Sequence, residues 1–143
     1  MKYTPALFLI FSVSARLAAP LDPQNVPTVR EKTTRTAAQQ KIDSQLLYAL
    51  YRERGEAEAK GVPPGELRVK FDAKRRALVT IRARVTRDLL AEIKTLGGEV
   101  VSSSERDNDI RAHLPLSKLE ALAASKTVYA IVPAEEATTN RPK

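Results

Sequence analysis

Apolar and polar positions follow the most regular pattern between residues 77 and 132. Apolar and polar side chains alternate along residues 77–85, which is typical of a half-buried β-strand. Leucine and isoleucine recur at helical spacing from Arg87 to Leu96 and again after Pro115. The predicted strands are 77–85, 99–103, 110–114 and 128–132. One helix is predicted at 87–96. A second begins at Pro115, and its buried side is formed by Leu116, Leu119, Leu122 and Ala123.

The order strand, helix, strand, strand, helix, strand predicts a fold of the α+β class. It is the order of a ferredoxin-like sandwich, in which one antiparallel sheet carries two helices on one face. Thr86 can cap the first helix and Gly97-Gly98 can end it, while proline is favourable at the start of the second. Alternation at residues 67–71 adds a hairpin strand with Phe71 facing the core, so we predict a domain at 67–134.

The N-terminal residues have the features of an export signal. A lysine at position 2 precedes the apolar run 6–13, and Val13-Ser14-Ala15 provides small residues for cleavage. The run is too short to span a bilayer as a helix. We therefore predict a signal peptide at 1–15, secretion or a periplasmic location, and no stable membrane insertion.

The regions between the signal and the domain, and after the domain, are predicted from local composition. Residues 16–35 contain three prolines and no apolar periodicity, which is typical of a flexible linker. Residues 36–55 place Ile42, Leu46 and Leu50 on one stripe and end at a glycine, which predicts a helix. The polar residues 135–143 are predicted to form an extended tail.

Composition argues against catalysis by this chain. The 143 residues include no cysteine, so disulfides, a thiolate nucleophile and cysteine metal sites are excluded. A hydrolase would depend on the single histidine, His113, and there is no Gly-x-Ser-x-Gly motif. Its partners would be sought among Ser102, Ser103, Ser104, Ser117, Asp107 and Asp109. We expect no enzyme activity, no cofactor and no metal, and we interpret Glu105, Asp107 and Asp109 as a solvated turn.

The positive charge is concentrated in one stretch of sequence. The formal net charge is +7, and residues 68–87 hold eight lysines and arginines against Asp72 alone. Such a face fits an acidic partner, although charged side chains also protect sheets from aggregation, and both interpretations stay open. Specific nucleic-acid binding is not expected, because the outward strand positions carry no aromatic side chain for stacking on bases.

Several segments in order resemble the N-terminal region of exported bacterial subtilisin-like serine peptidases. They are Lys41–Leu47, Leu96–Ser103, Ile110–Leu116, Leu119–Leu122 and Ile131–Ala134. The resemblance covers roughly residues 37–140, and the sandwich looks like the prosegment, or propeptide-inhibitor, fold of that family. The catalytic domain that follows in the family is missing from this sequence. A standalone inhibitor, a truncated gene product and a fragment therefore remain open.

The resemblance implies a non-catalytic domain that assists the folding of a subtilisin-like peptidase and inhibits it. In the family the open sheet face docks on the peptidase and the C-terminal tail occupies the substrate cleft. The docking residues implied here are Leu78, Thr80, Arg82, Arg84, Arg111 and His113. The inhibitory tail would be Pro133, Ala134, Glu135, Glu136, Ala137, Thr138, Thr139 and Asn140. The alternative is an exported protein-interaction module with a basic sheet face and no peptidase partner.

Overall fold

Four strands build one antiparallel sheet in the computed structural model, which describes residues 28–135. The predicted signal peptide, the first part of the linker and residues 136–143 lie outside the described residues. The strands are β1 (Arg76–Ala83), β2 (Glu99–Ser104), β3 (Asp109–Pro115) and β4 (Val128–Pro133). The helices are α1 (Thr28–Thr33), α2 (Ala37–Gln40), α3 (Ser44–Glu53), α4 (Arg87–Thr95) and α5 (Leu119–Ala123), with a 3₁₀ turn at Leu116–Lys118.

The strand order β2-β3-β1-β4 confirms the α+β prediction, and it is the order of a ferredoxin-like sandwich. β1 lies in the centre, where Val79 faces Ala112 of β3 and Ile81 faces Ile131 of β4. Alternate β1 residues are fully buried, as the period of two requires for a sheet with one covered face. The chain order and the caps of α4, including the Thr86 hydroxyl that accepts the Leu89 N–H at 3.1 Å, agree with the sequence.

Gly98 is required by packing as well as by the end of α4. A Cβ atom there would lie 2.8 Å from both Cγ2 and the carbonyl oxygen of Ile93, and 2.9 Å from Cδ1 of Leu114. Only glycine allows the chain to pass this closely between α4 and β3.

The helix predicted at 36–55 is wrong as one continuous element. Residues 41–43 interrupt it, because Ile42 pairs in parallel with Ile131 of β4. The Ile131 N–H donates to the Lys41 carbonyl at 2.7 Å, and the Asp43 N–H donates to the Ile131 carbonyl at 2.8 Å. The outer edge of β4 is thereby covered, which protects it from pairing with another chain. Asp43 then caps α3 by accepting the Gln45 N–H at 2.8 Å.

The hairpin strand predicted at 67–71 is also wrong in most of its length. Only Phe71 bridges to β1, opposite Ala77, and the Phe71 side chain is 48% exposed rather than in the core. The physical reason is competition for the same side of β1, which β4 occupies from Val79 onward. The prediction that Pro115 opens an α-helix is also wrong. Pro115 is the last residue of β3, and a 3₁₀ turn follows it.

The linker prediction is wrong for residues 28–35, because α1 lies there and its Glu31 is 5% exposed. Arg35 holds the buried carboxylate through Nε at 2.7 Å and Nη2 at 2.9 Å. The hydroxyl of Tyr51 in α3 donates to Glu31 at 3.4 Å, and Arg35 also donates to Ser44 at 3.0 Å. These bonds fasten α1 to α3. None of the described helices has the length and apolar character to cross a membrane.

Removing the Arg35 charge is expected to destabilise the protein strongly. Arg35→Met leaves the buried Glu31 carboxylate without its cation, which costs about 3 kcal/mol. The matched control is Arg54→Met, which breaks the 2.9 Å pair with Glu120 at the surface and costs less than about 1 kcal/mol. Urea unfolding followed by circular dichroism measures both. Equal losses would contradict a structural role for the buried pair.

Candidate docking surface

The open face of the sheet collects five of the six predicted docking residues. Leu78 faces His113 and Thr80 faces Arg111 across the β1–β3 ladder, and Arg82 follows on the same face. These five residues are half-buried or exposed, whereas the alternate residues of β1 and β3 are buried in the core.

The sixth residue, Arg84, lies beyond the end of β1 at the margin of this face. Its backbone N–H donates to the Thr127 carbonyl at 2.9 Å, and its side chain is exposed. A bulge between Arg82 and Ala83 shifts the register with β4 here. The alternation that placed Arg84 with the other five residues therefore does not continue regularly past the bulge.

Three further residues of the same face were not singled out from the sequence. Val132 lies opposite Thr80 and Ala130 opposite Arg82, so β4 adds a small apolar margin. On the other side, β2 places Glu99 opposite His113. The strand order of a ferredoxin-like sheet is the signal that would have found them, because it sets β4 beside β1 and β2 beside β3.

An ionic network occupies one end of the open face. Arg76 donates to Asp72 through Nε and to Glu99 through Nη2, each at 2.7 Å. The Arg76 guanidinium holds the pKa of Glu99 below its ordinary value. Partial burial tends to raise the pKa of Asp72, but hydrogen bonds from the Arg76 N–H and guanidinium outweigh it, so this pKa is lowered too.

His113 borders this network on the open face. Its Nδ1 lies 3.8 Å from Oδ2 of Asp72, is buried, and has no hydrogen-bond partner among the described residues. Ser104 donates instead to Asp107 at 2.7 Å. Within residues 28–135 no serine hydroxyl is hydrogen-bonded to His113.

The start of the predicted tail is fixed to the open face. The Ala134 N–H donates to the Leu78 carbonyl at 3.0 Å, and Ala134 is 6% exposed. Arg111 then reaches from β3 to donate to the carbonyl of Glu135 at 2.7 Å. The direction in which the chain leaves the sheet is therefore set by a charged side chain of the docking face. Residues 136–140 of the predicted tail lie outside the described residues.

The positive charges that are adjacent in sequence are divided in space. Lys74 and Arg75 lie in the turn before β1, and Arg82, Arg84 and Arg87 lie at its far end; all five are exposed. From Arg75 to Arg82 the strand advances by seven residues, which is about 23 Å. The chain thus presents two separate cationic regions, which a partner could contact independently.

Among residues 28–135 two aromatic side chains are exposed, and one of them is Phe71, which was expected in the core. Phe71 is 48% and Tyr129 is 58% exposed. Neither belongs to the central positions of β1 and β3, where the face presents aliphatic, hydroxyl, imidazole and guanidinium groups. These central positions therefore present no phenylalanine, tyrosine or tryptophan ring on which a nucleic-acid base could stack.

Comparisons with known protein families, with curated proteins and with solved structures found no match for this chain.

Acid is expected to destabilise the protein through the Arg76 network. Because the pKa values of Asp72 and Glu99 are lowered by folding, their contribution is complete above about pH 5 and is lost as the pH falls through the lowered values. The midpoint of urea unfolding should decrease from pH 5 to pH 2. Glu99→Gln should reduce this decrease, whereas Glu58→Gln, at an exposed site without such a bond, should not. An unchanged pH dependence in Glu99→Gln would contradict the assignment.

Loss of the Arg111 guanidinium is expected to release the chain after Pro133. Arg111→Met keeps the aliphatic stem but removes the bond to Glu135, so hydrogen exchange of the Ala134 amide should accelerate about tenfold. Arg82→Met, on the same face and without a bond to residues 133–135, is the matched control. Exchange that is equally slow in both variants would show that Arg111 does not fix the tail.

Proposed function

We propose that the chain is a non-catalytic prosegment-like domain that inhibits a subtilisin-like serine peptidase and assists its folding. The observation that carries the proposal is the position of the tail. It leaves the sheet beside the uncovered face, and a residue of that face, Arg111, binds the tail backbone at Glu135. The resemblance of residues 37–140 to prosegments of that family supports the same function.

Docking would bring the open face against the surface of the peptidase. Leu78 and Val132 supply apolar contact, and Thr80 lies opposite Val132 and two residues after Leu78 on β1. Arg82 and the Arg76 network surround this centre with charge, as in interfaces that have an apolar core and a polar rim. Folding assistance follows from the same contact, since a domain that binds the native peptidase more tightly than the unfolded chain stabilises the native state.

Inhibition would come from the tail in the substrate cleft. An extended peptide can add its backbone to an exposed strand edge of the enzyme while alternate side chains enter pockets. The bonds of Ala134 and Glu135 to the sheet fix the direction in which the chain leaves the sheet at Glu135 before binding. Less conformational freedom is then lost on association, which strengthens binding without any additional contact.

The test is inhibition of a purified subtilisin-like peptidase by the full chain, together with recovery of activity after refolding the peptidase in its presence. Thr80→Glu places a charge at the centre of the docking face and should weaken inhibition at least about tenfold. Ala91→Glu, on the exposed side of α4, is the matched control and should inhibit normally.

Deletion of residues 136–143 separates the two parts of the mechanism. The deleted chain keeps the sheet and the Arg111 bond, so it should still assist refolding while losing most of its inhibition. An intact chain that neither inhibits nor assists refolding of any subtilisin-like peptidase tested would refute the proposed function.

A second candidate is an exported protein-interaction module without a peptidase partner. The exposed arginines Arg82, Arg84 and Arg87, which have no ion pair with a described residue, favour it because they are available to an acidic protein surface. Binding to an acidic envelope protein that weakens steeply with salt, combined with no effect on proteases, would support this function over the first.

A further inference from the structure

Two segments, residues 67–70 and residues 133–135, meet β1 at Leu78 and then separate. Leu78 donates its N–H to the Lys70 carbonyl at 2.9 Å and accepts the Ala134 N–H at 3.0 Å. β1 has room for only one continuous neighbour on this side, so the two segments leave in different directions. The separation opens a groove at the edge of the sheet.

Each segment is held on the far side of the groove by one side chain. The Arg68 N–H donates to Oε1 of Gln45 in α3 at 3.0 Å, which draws the first segment toward the helices. Arg111 draws the second toward the open face through Glu135. Residues 67–70, residues 133–135 and Gln45 line the resulting groove, whose volume is about 610 Å³. That volume is in the range of binding sites for small ligands and peptides.

The walls of the groove suit an extended peptide. Leu67 and Val69 pack partly against the core, and Pro133 and Ala134 form the apolar part of the opposite wall. The backbone N–H and carbonyl of Val69 have no hydrogen-bond partner among the described residues. An unpaired, extended backbone of this kind is a template for an added strand, and the apolar walls can receive alternate side chains.

Charge around the groove selects the kind of peptide. Arg68, Lys70 and Glu135 are the charged residues that line it, and Lys74 and Arg75 lie in the turn of the same hairpin. Arg68, Lys74 and Arg75 have no ion pair with a described residue, and Asp72 in this turn is already bound by Arg76. Because cations outnumber the single carboxylate of Glu135, acidic side chains on an incoming segment would be attracted and basic ones repelled.

We infer that this groove binds an extended, acidic segment of a partner protein, paired with the backbone of Val69 and flanked by Arg68. The inference rests on the proposed function only in identifying that partner as the peptidase. The groove adjoins the start of the tail, so an acidic segment at the rim of the substrate cleft would be held while the tail enters the cleft.

The experiment uses the full chain and a blocked six-residue peptide of alternating glutamate and valine, followed by amide chemical shifts in low salt. Shifts are expected at residues 67–70 and 134–135 and at the side-chain amide of Gln45, and they should decrease as salt is added. Arg68→Glu should weaken binding about tenfold. The matched control, Arg84→Glu, reverses a charge at the far end of β1 and should bind normally.

A second variant tests the backbone contact. Val69→Pro removes an N–H that makes no bond within the described residues, so the fold should persist and peptide binding should decrease. Shifts centred on Arg82 and Arg84, or equal losses in Arg68→Glu and Arg84→Glu, would overturn the inference in favour of nonspecific attraction. So would equal binding of a peptide of alternating lysine and valine.

The two proposals fail in distinguishable ways. Inhibition of the peptidase without binding of the acidic peptide would refute the groove inference and leave the proposed function standing. Binding of the peptide at the groove without inhibition or refolding assistance would support the groove and refute the peptidase function.

Discussion

Pairing on the β4 side of β1 is the constraint on which the rest of the structure depends. On that side β4 pairs with β1 from Val79 to Ala83, whereas the hairpin segment that contains Lys70 pairs with Ala77 and Leu78. Because one strand edge accommodates one continuous partner, the two segments have to part at Leu78. The conflict ends the pairing of the hairpin segment at Lys70, and beyond Pro133 the bond from Arg111 to Glu135 draws the chain toward the open face.

The β4 edge of the sheet and the two faces of the sheet have different surroundings. The edge at β4 is covered by residues 41–43, whose backbone bonds to Ile131 satisfy groups that would otherwise invite another strand. One face is buried beneath the helices by alternate small and branched side chains. The other stays open, and its charges are largely neutralised at one end by the bonds of Arg76 with Asp72 and Glu99. A surface that is open and only locally charged suits contact with a protein.

The charged residues of the domain fall into two groups: ion pairs that stabilise the fold, and exposed charges that a partner can contact. Glu31 and Arg35 are buried, so their pair fastens α1 and would be costly to break. Arg111 donates to the backbone carbonyl of Glu135, so its charge helps to fix where the chain leaves the sheet. Near the sheet, exposed Lys74 and Arg75 precede β1, whereas exposed Arg82, Arg84 and Arg87 lie at its far end. Their function is therefore to be sought in separate contacts rather than in one basic patch.

Local sequence determined the period and order of the sandwich elements, because alternation and helical spacing reflect which side chains are buried. It therefore placed Leu78, Thr80, Arg82, Arg111 and His113 on one face correctly. Tertiary structure alone decided that Ile42 breaks a helix, that residues 67–71 are mostly excluded from the sheet, and that Arg111 binds Glu135. Each of these depends on which segments compete for the same backbone edge, and that competition exists only once distant parts of the chain have come together.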